Sequence, residues 1–305
     1  MRVPRLFYTD HFELPLPAGH RFPIEKYRML RTLLEADGGF TLEPAPMAEI
    51  ATVERVHDPE YVRAFVEGRL PESDMRRIGF PWSQELVKRT LASVGSTLAA
   101  TREALDCGWA GTLSGGTHHA FRAEGSGFCV FNDIAVAIVA LRAERGIRRA
   151  AVVDLDVHQG DGTAEIFRHD ENVLTLSVHC KNNFPLRKQR SRIDVELDAG
   201  ADDEAYLHKL AEVLPRVLEF RPEVIFYQSG VDGLAEDRLG KLSMTLSGLQ
   251  ERDRQVMEIG KASGIPLVIT LGGGYAEPIW LTAEAHANTF RVARETLGQG
   301  GEISH

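Results

Sequence analysis

The sequence predicts an α/β protein: a mostly parallel β-sheet with helices on both faces, in a single domain spanning residues 1–305. Two observations predict it. Short apolar, β-rich runs alternate with longer stretches of helical periodicity, the pattern of strand–helix–strand units. The unusual residues also gather just after the strands, where open α/β sheets bind ligands.

In chain order, the apolar run Leu6–Thr9 gives the first strand, and the periodic stretches Pro59–Glu67 and Gln84–Asp106 the first helices. Ala110–Leu113 is the next strand and leads into Gly115-Gly116-Thr117-His118-His119. Helix Asp133–Arg145 precedes strand Ala150–Asp156, which ends in an Asp/His cluster. Helix Gly162–Arg168 precedes strand Val173–His179, which carries Ser177 and His179 at its end. Helix Glu204–Phe220 precedes strand Val224–Ser229 and the segment Gln228-Ser229-Gly230-Val231-Asp232. Helix Ser247–Ala262 precedes strand Leu267–Leu271 and Gly272-Gly273-Gly274-Tyr275, and helix Pro278–Leu297 follows. Five strand ends thus deliver polar or glycine-rich loops to one rim.

With 305 residues the chain can bury a large core, and 43% hydrophobic with 26% charged residues is a globular composition. The net charge of -9 argues against a nucleic-acid partner and against an anionic membrane surface, and suits a cationic or neutral substrate. Cys107, Cys129 and Cys180 are far apart and form no C-x-x-C pair, so free thiols in a reducing compartment are expected. The segment Met1–Tyr8 lacks an apolar h-region and no apolar run reaches bilayer-spanning length. A cytoplasmic location follows as the expectation; no oligomeric state is implied.

The densest signal is the run from Val152 to Gly162. Read as a strand, it projects Asp154, Asp156 and His158 to one side. Core strands rarely carry so many ionisable groups, because an unpaired buried charge is costly. A carboxylate and a neutral imidazole two residues apart can reach one cation. Oxygen and nitrogen ligation without a thiolate suits catalytic zinc or a similar divalent metal. Asp232 completes a two-carboxylate, one-imidazole set that leaves a position for water or substrate. The tandem His118-His119 can act as acid and base near neutral pH, with Asp154 and Asp161 as spare orienting carboxylates. Tyr275, after three glycines, can donate its hydroxyl to a carbonyl oxygen; taken alone, an aromatic lid over a helix start explains it better.

These residues resemble the histone deacetylase family within the arginase/deacetylase fold. The matching stretches are Gly115–Ala120, Gly127–Asp133, Asp154–Gly162 and Gly272–Tyr275, in family order, within a likeness running from about Gly19 to the C-terminal helix. Asp232–Ser243 resembles the class IV branch and its bacterial relatives. The resemblance implies a zinc-dependent amidohydrolase acting on acylated lysine in peptides or proteins; acetylpolyamines and other small acyl-amines are the alternative. By position it implies Asp156, His158 and Asp232 as zinc ligands, a set that also accommodates iron(II). It implies His118 and His119 as the catalytic pair, His119 being the preferred base, with Asp154 orienting the first and Asp161 the second. Tyr275 falls where the family polarises the scissile carbonyl. A structural potassium ion is implied on side-chain oxygens of Asp154, Asp156 and Ser177 and on the carbonyls of His158 and Val178. Gly127, Phe128, Phe184, Leu239 and Gly273 fall at substrate-binding positions, Phe128 and Phe184 as aromatic walls of a tunnel. The sequence departs from class I in the loop Lys181–Arg187, which lacks a glycine-rich extension, and at Lys26, near a position where many class I members carry arginine.

Overall fold

Side-chain alternation along the central strands builds two cores, one on each face of a single sheet. Ala151, Val153, Ile225, Tyr227, Leu267 and Ile269 face one core, while Ala150, Val152, Val224, Phe226 and Val268 face the other. This arrangement is seen in a computed structural model that describes residues 3–298. Residues 1–2 and 299–305, which the expected single domain and the Met1–Tyr8 segment include in part, lie outside the described residues.

The strands are β1 (Arg5–Tyr8), β2 (Thr41–Pro44), β3 (Trp109–Thr112), β4 (Ala150–Asp154), β5 (Val173–Cys180), β6 (Ile193–Leu197), β7 (Val224–Gln228) and β8 (Leu267–Thr270). They pair in the order β2-β1-β3-β8-β7-β4-β5-β6, and every pairing is parallel. The helices are α1 (Glu25–Asp37), α2 (Ile50–Val53), α3 (Pro59–Val66), α4 (Glu72–Ile78), α5 (Gln84–Cys107), α6 (Asp133–Arg145), α7 (Asp161–Ile166), α8 (Asp203–Val213), α9 (Pro215–Glu219), α10 (Leu246–Ser263) and α11 (Trp280–Leu297). Leu30 of α1, Leu210 of α8, Val256 of α10 and Phe290 of α11 cover one face. Phe65 of α3, Leu98 of α5 and Ile138 of α6 cover the other. Side-chain caps start several helices: Ser83 accepts from Leu86 N, Asn132 from Ala135 N and Thr245 from Gly248 N.

The expected parallel sheet with helices on both faces is present, and its described strands are parallel throughout. Four expectations about individual elements need correction. Edge strands β2 and β6 went unpredicted; β2 is short and ends in Pro44, and β6 alternates Ile193, Val195 and Leu197 with acidic residues on one exposed face. The single helix expected over Glu204–Phe220 is two, because Pro215 cannot continue α8 and instead starts α9. Helices α1, α2 and α4 are additional. Strand β4 ends at Asp154, so Asp156 and His158 lie beyond it and not on a strand. Among the described residues no helix is long and apolar enough to cross a membrane.

Register then sets the site. Asp154 pairs with Ser177 on one side and Gln228 on the other, and Gln228 with Thr270. The carboxyl ends of β4, β7 and β8 are therefore level, with Ser177 of β5 beside them and β5 running on to Cys180.

Candidate active site

Two buried contacts organise the histidine pair. His118 Nδ1 lies 2.7 Å from Asp154 Oδ2, and His119 Nδ1 lies 2.6 Å from Asp161 Oδ1. The two imidazole centroids are 4.0 Å apart. With each Nδ1 donating to a carboxylate, each Nε2 is left for other work. The loop carrying the pair is fastened to α6. The Asp133 carboxylate accepts from Gly116 N at 3.0 Å, Thr117 N at 2.7 Å and the Thr97 and Thr117 hydroxyls. Gly116 has φ +72°, and a side chain there would strike the Leu271 carbonyl, so only glycine serves.

The two rings sit in different fields. Burial opposes a charge on His118, but Asp154 and then Asp156 outweigh it and raise the ring to about 9. At His119 burial, reinforced by His118, prevails over Asp161 and lowers the ring to about 4. Burial and the neighbouring charges thus push two adjacent imidazoles in opposite directions.

Hydrogen bonds, not strand alternation, place the next cluster. Asp156 N donates to Asp154 Oδ1 at 3.2 Å, His158 N to Asp156 Oδ1 at 3.0 Å and Val157 N to Asp232 Oδ1 at 2.9 Å. Gly273 N donates to Asp156 Oδ2 at 2.6 Å. His158 Nδ1 ends 3.0 Å from both Asp156 Oδ1 and Asp232 Oδ2. Potential ligand atoms of Asp156, His158 and Asp232 all lie within 4.8 Å of one another. Asp232 Oδ2 is fully buried, and the His158 ring nitrogen at 3.0 Å is the one ion-pair partner it has among the described residues, so burying this carboxylate is costly unless positive charge stays beside it. Burial and the neighbouring Asp156 push the Asp232 carboxyl up to about 7. Despite burial, the two carboxylates hold the His158 ring well above its usual value. The cluster attracts positive charge, and its donors fit a divalent ion.

Tyr275 closes the site from β8. Its N–H donates to Asp237 Oδ2 at 2.6 Å, and its carbonyl accepts from Arg238 N at 3.3 Å. His118, His119, Asp156, His158 and Tyr275 all line one cavity of about 360 Å³. Gly127, Phe128, Phe184, Leu239 and Gly273 line it too. Phe184 meets His119 edge to face at 4.8 Å, and Phe128 lies 6.1 Å from Tyr275, ring to ring. Asp154 and Asp161 sit behind the imidazoles. Ser177 lies level with Asp154, its hydroxyl 3.0 Å from His179 Nδ1, and Val178 is buried beside it.

The histone deacetylase domain family matches residues 20–291. The chain belongs to the histone deacetylase family. A histone deacetylase-like amidohydrolase of Pseudomonas aeruginosa is 31% identical over 291 residues, 86% of this chain and 74% of that protein. An uncharacterized protein of Picosynechococcus is 44% identical over 299 residues, 97% of this chain and 99% of that one. Among solved structures, acetylpolyamine aminohydrolase from Burkholderia pseudomallei superposes with a TM-score of 0.78 at 22% identity, covering 95% of this chain and 98% of that one. The fold is therefore the arginase/deacetylase fold.

Sequence reasoning gave no role to the supporting residues, although Lys26 was noted as a departure from class I. Lys26 is buried, with Nζ 3.3 Å from the Gly274 carbonyl and 5.0 Å from the Tyr275 ring centre; burial lowers it to about 8. Arg252 is buried and donates to the Gly230 carbonyl at 2.6 Å and the Leu155 carbonyl at 3.3 Å, joining the β4 and β7 loops. Asp237 had a legible signal, because an aspartate three residues before Gly240 marks a tight turn; Lys26 had one only through the resemblance, and Arg252 had none.

Proposed function

We propose that the chain is a zinc-dependent deacylase that hydrolyses acyl-amides of lysine side chains in peptides or proteins. The observation that carries this reading is the meeting of a three-donor cluster, two His–Asp pairs and Tyr275 at the base of one cavity. Asp156, His158 and Asp232 would hold the ion; zinc is the preferred assignment, and iron(II) suits the same donors. When bound, such an ion polarises the amide oxygen and acidifies water. His119, neutral with its Nδ1 on Asp161, takes the proton from the attacking water at Nε2. His118, charged beside Asp154, returns a proton to the departing amine. The Tyr275 hydroxyl donates to the amide oxygen as negative charge gathers there. Phe128 and Phe184 flank the methylene stem, with Gly127, Leu239 and Gly273 completing the passage.

Asp154, Asp156, His158, Ser177 and Val178 are assigned to a structural potassium ion, which would offset the crowding of Asp154 against Asp156. The whole chain is taken as one catalytic unit, since strands from Arg5 to Thr270 share one sheet. The free thiols of Cys129 and Cys180, both buried, suit a cytoplasmic setting. A second reading is supported by the fold match to an acetylpolyamine aminohydrolase: the substrate would then be a small acylated polyamine.

Metal analysis, followed by turnover of acetyl-lysine peptides, longer-chain acyl-lysine peptides and acetylated polyamines side by side, tests the reading. Release of free acid from the lysine peptides by zinc-loaded protein is expected. Absence of hydrolysis of every acyl-amine would overturn it.

A further inference from the structure

We infer that the substrate carries a carboxylate a short way beyond its acylated amine, and that Arg21 recognises it. This rests on the deacylase reading above and names the substrate class within it. The charges around the cavity are segregated by depth. Its one lining carboxylate, Asp156, is 1% exposed and lies at the base. The exposed charged residues that line it are Arg21, Arg76 and Arg77. A groove of about 740 Å³ adjoins, sharing Arg21, Arg76 and Phe128 with the cavity. Its single carboxylate, Glu72, is paired with Arg76 at 2.6 Å. Arg77 is held between Asp74 at 3.1 Å and Glu124 at 3.2 Å. Arg21 differs from both: among the described residues no hydrogen bond or ion pair engages it.

The chain as a whole carries a net charge of -9, so an uncompensated guanidinium at this opening runs against the average surface. A lysine stem threaded between Phe128 and Phe184 brings its α-carbon to the rim. A carboxylate there meets the planar donor fork of Arg21, a geometry that suits carboxylates. An acylated polyamine brings another ammonium to the same place and meets like charge instead.

The test is kcat/KM for N-acetylated amines that differ only beyond the stem. The arms are Nε-acetyl-lysine with a free α-carboxylate and blocked amine, its neutral amide, a blocked peptide with an acidic residue beside acetyl-lysine, and acetylspermidine. At low salt the anionic arms should exceed the neutral amide by about three- to five-fold, the scale of one exposed ion pair. The acetylspermidine arm should fall below the amide, and high salt should compress the ranking. Comparing the two anionic arms separates a free α-carboxylate from an acidic side chain. Arg21→Glu should reverse the ranking through KM and Arg21→Lys should keep it, whereas general damage to the fold lowers all arms alike. Fastest turnover of acetylspermidine, or a ranking unmoved by Arg21→Glu, overturns the inference and leaves the deacylase reading standing. No turnover of any arm by metal-loaded protein overturns both.

Discussion

Asp237 Oδ2 accepts the backbone N–H of Tyr275 at 2.6 Å, while its Oδ1 accepts Leu239 N and Gly240 N at 2.8 Å each. One carboxylate thus fixes both the tyrosine at the end of the glycine run and the turn that presents Leu239. Asp237→Ala leaves three N–H groups short of partners. It should cost about 1–3 kcal/mol of stability, the usual penalty for an orphaned buried donor, and lower kcat more than it raises KM. Thermal melts and steady-state kinetics check this; wild-type kcat would remove Asp237 from any positioning role.

The histidine pair predicts a bell-shaped pH–rate curve. Turnover needs His119 neutral, above its value of about 4, and His118 charged, below its value of about 9. A cation on Asp156 and His158 adds positive charge beside both rings and moves both limbs to lower pH. His119→Ala should lose about 10²–10⁴-fold in kcat, the usual worth of an acid–base group. His118→Ala should lose the alkaline limb. Curves matching the wild type in both variants would reject the acid–base roles.

Asp154→Asn should damage turnover while metal content stays near wild type. Asp154 touches His118, whereas the donor cluster is Asp156, His158 and Asp232. Metal stoichiometry and kcat measured on the same preparation decide it, and full activity would undo the division of labour.

Gly273→Ala should act in the opposite way. A methyl at this position overlaps the Asp232 carboxylate, which must then move away from His158. Metal affinity should fall by roughly 10- to 100-fold, as when a ligand's support is lost. Competition against a chelating dye measures it.

His57 makes a stability prediction away from the site. Its Nε2 accepts from Asn132 N at 2.9 Å, so the ring must stay neutral, and burial lowers it from 6.5 to about 4. The unfolded chain takes up the proton first. Stability is therefore fully present above about pH 6.5 and is lost as pH falls toward 4, by about 3 kcal/mol in total. Denaturant unfolding across this range should show a smaller decline for His57→Gln; parallel curves would contradict the assignment.

Much of the fold was legible because the buried strands announce themselves. Ala150-Ala151-Val152-Val153 and Val224-Ile225-Phe226-Tyr227 are covered on both faces, so their apolar character is continuous. The edge strands were not read: β2 is four residues with a terminal proline, and β6 carries Asp194 and Glu196 on its outer face. The reading of Asp156 and His158 as strand residues was wrong in cause. Their placement comes from Asp154 and Asp232 accepting local backbone N–H groups, which strand periodicity does not encode.

The sequence by itself determined which chemistry is present: carboxylates, imidazoles and a phenol stand just past strand ends, where a parallel sheet must gather its loops. Only the tertiary structure decided the surroundings of each group. The difference between His118 and His119 is a matter of which carboxylates lie within a few ångströms in a buried setting. The exposure of Arg21 beside compensated Arg76 and Arg77 depends on the packing of segments far apart in the chain. Local pattern fixes residue type and period; electrostatic environment depends on through-space distance and burial, which exist only once the chain has folded.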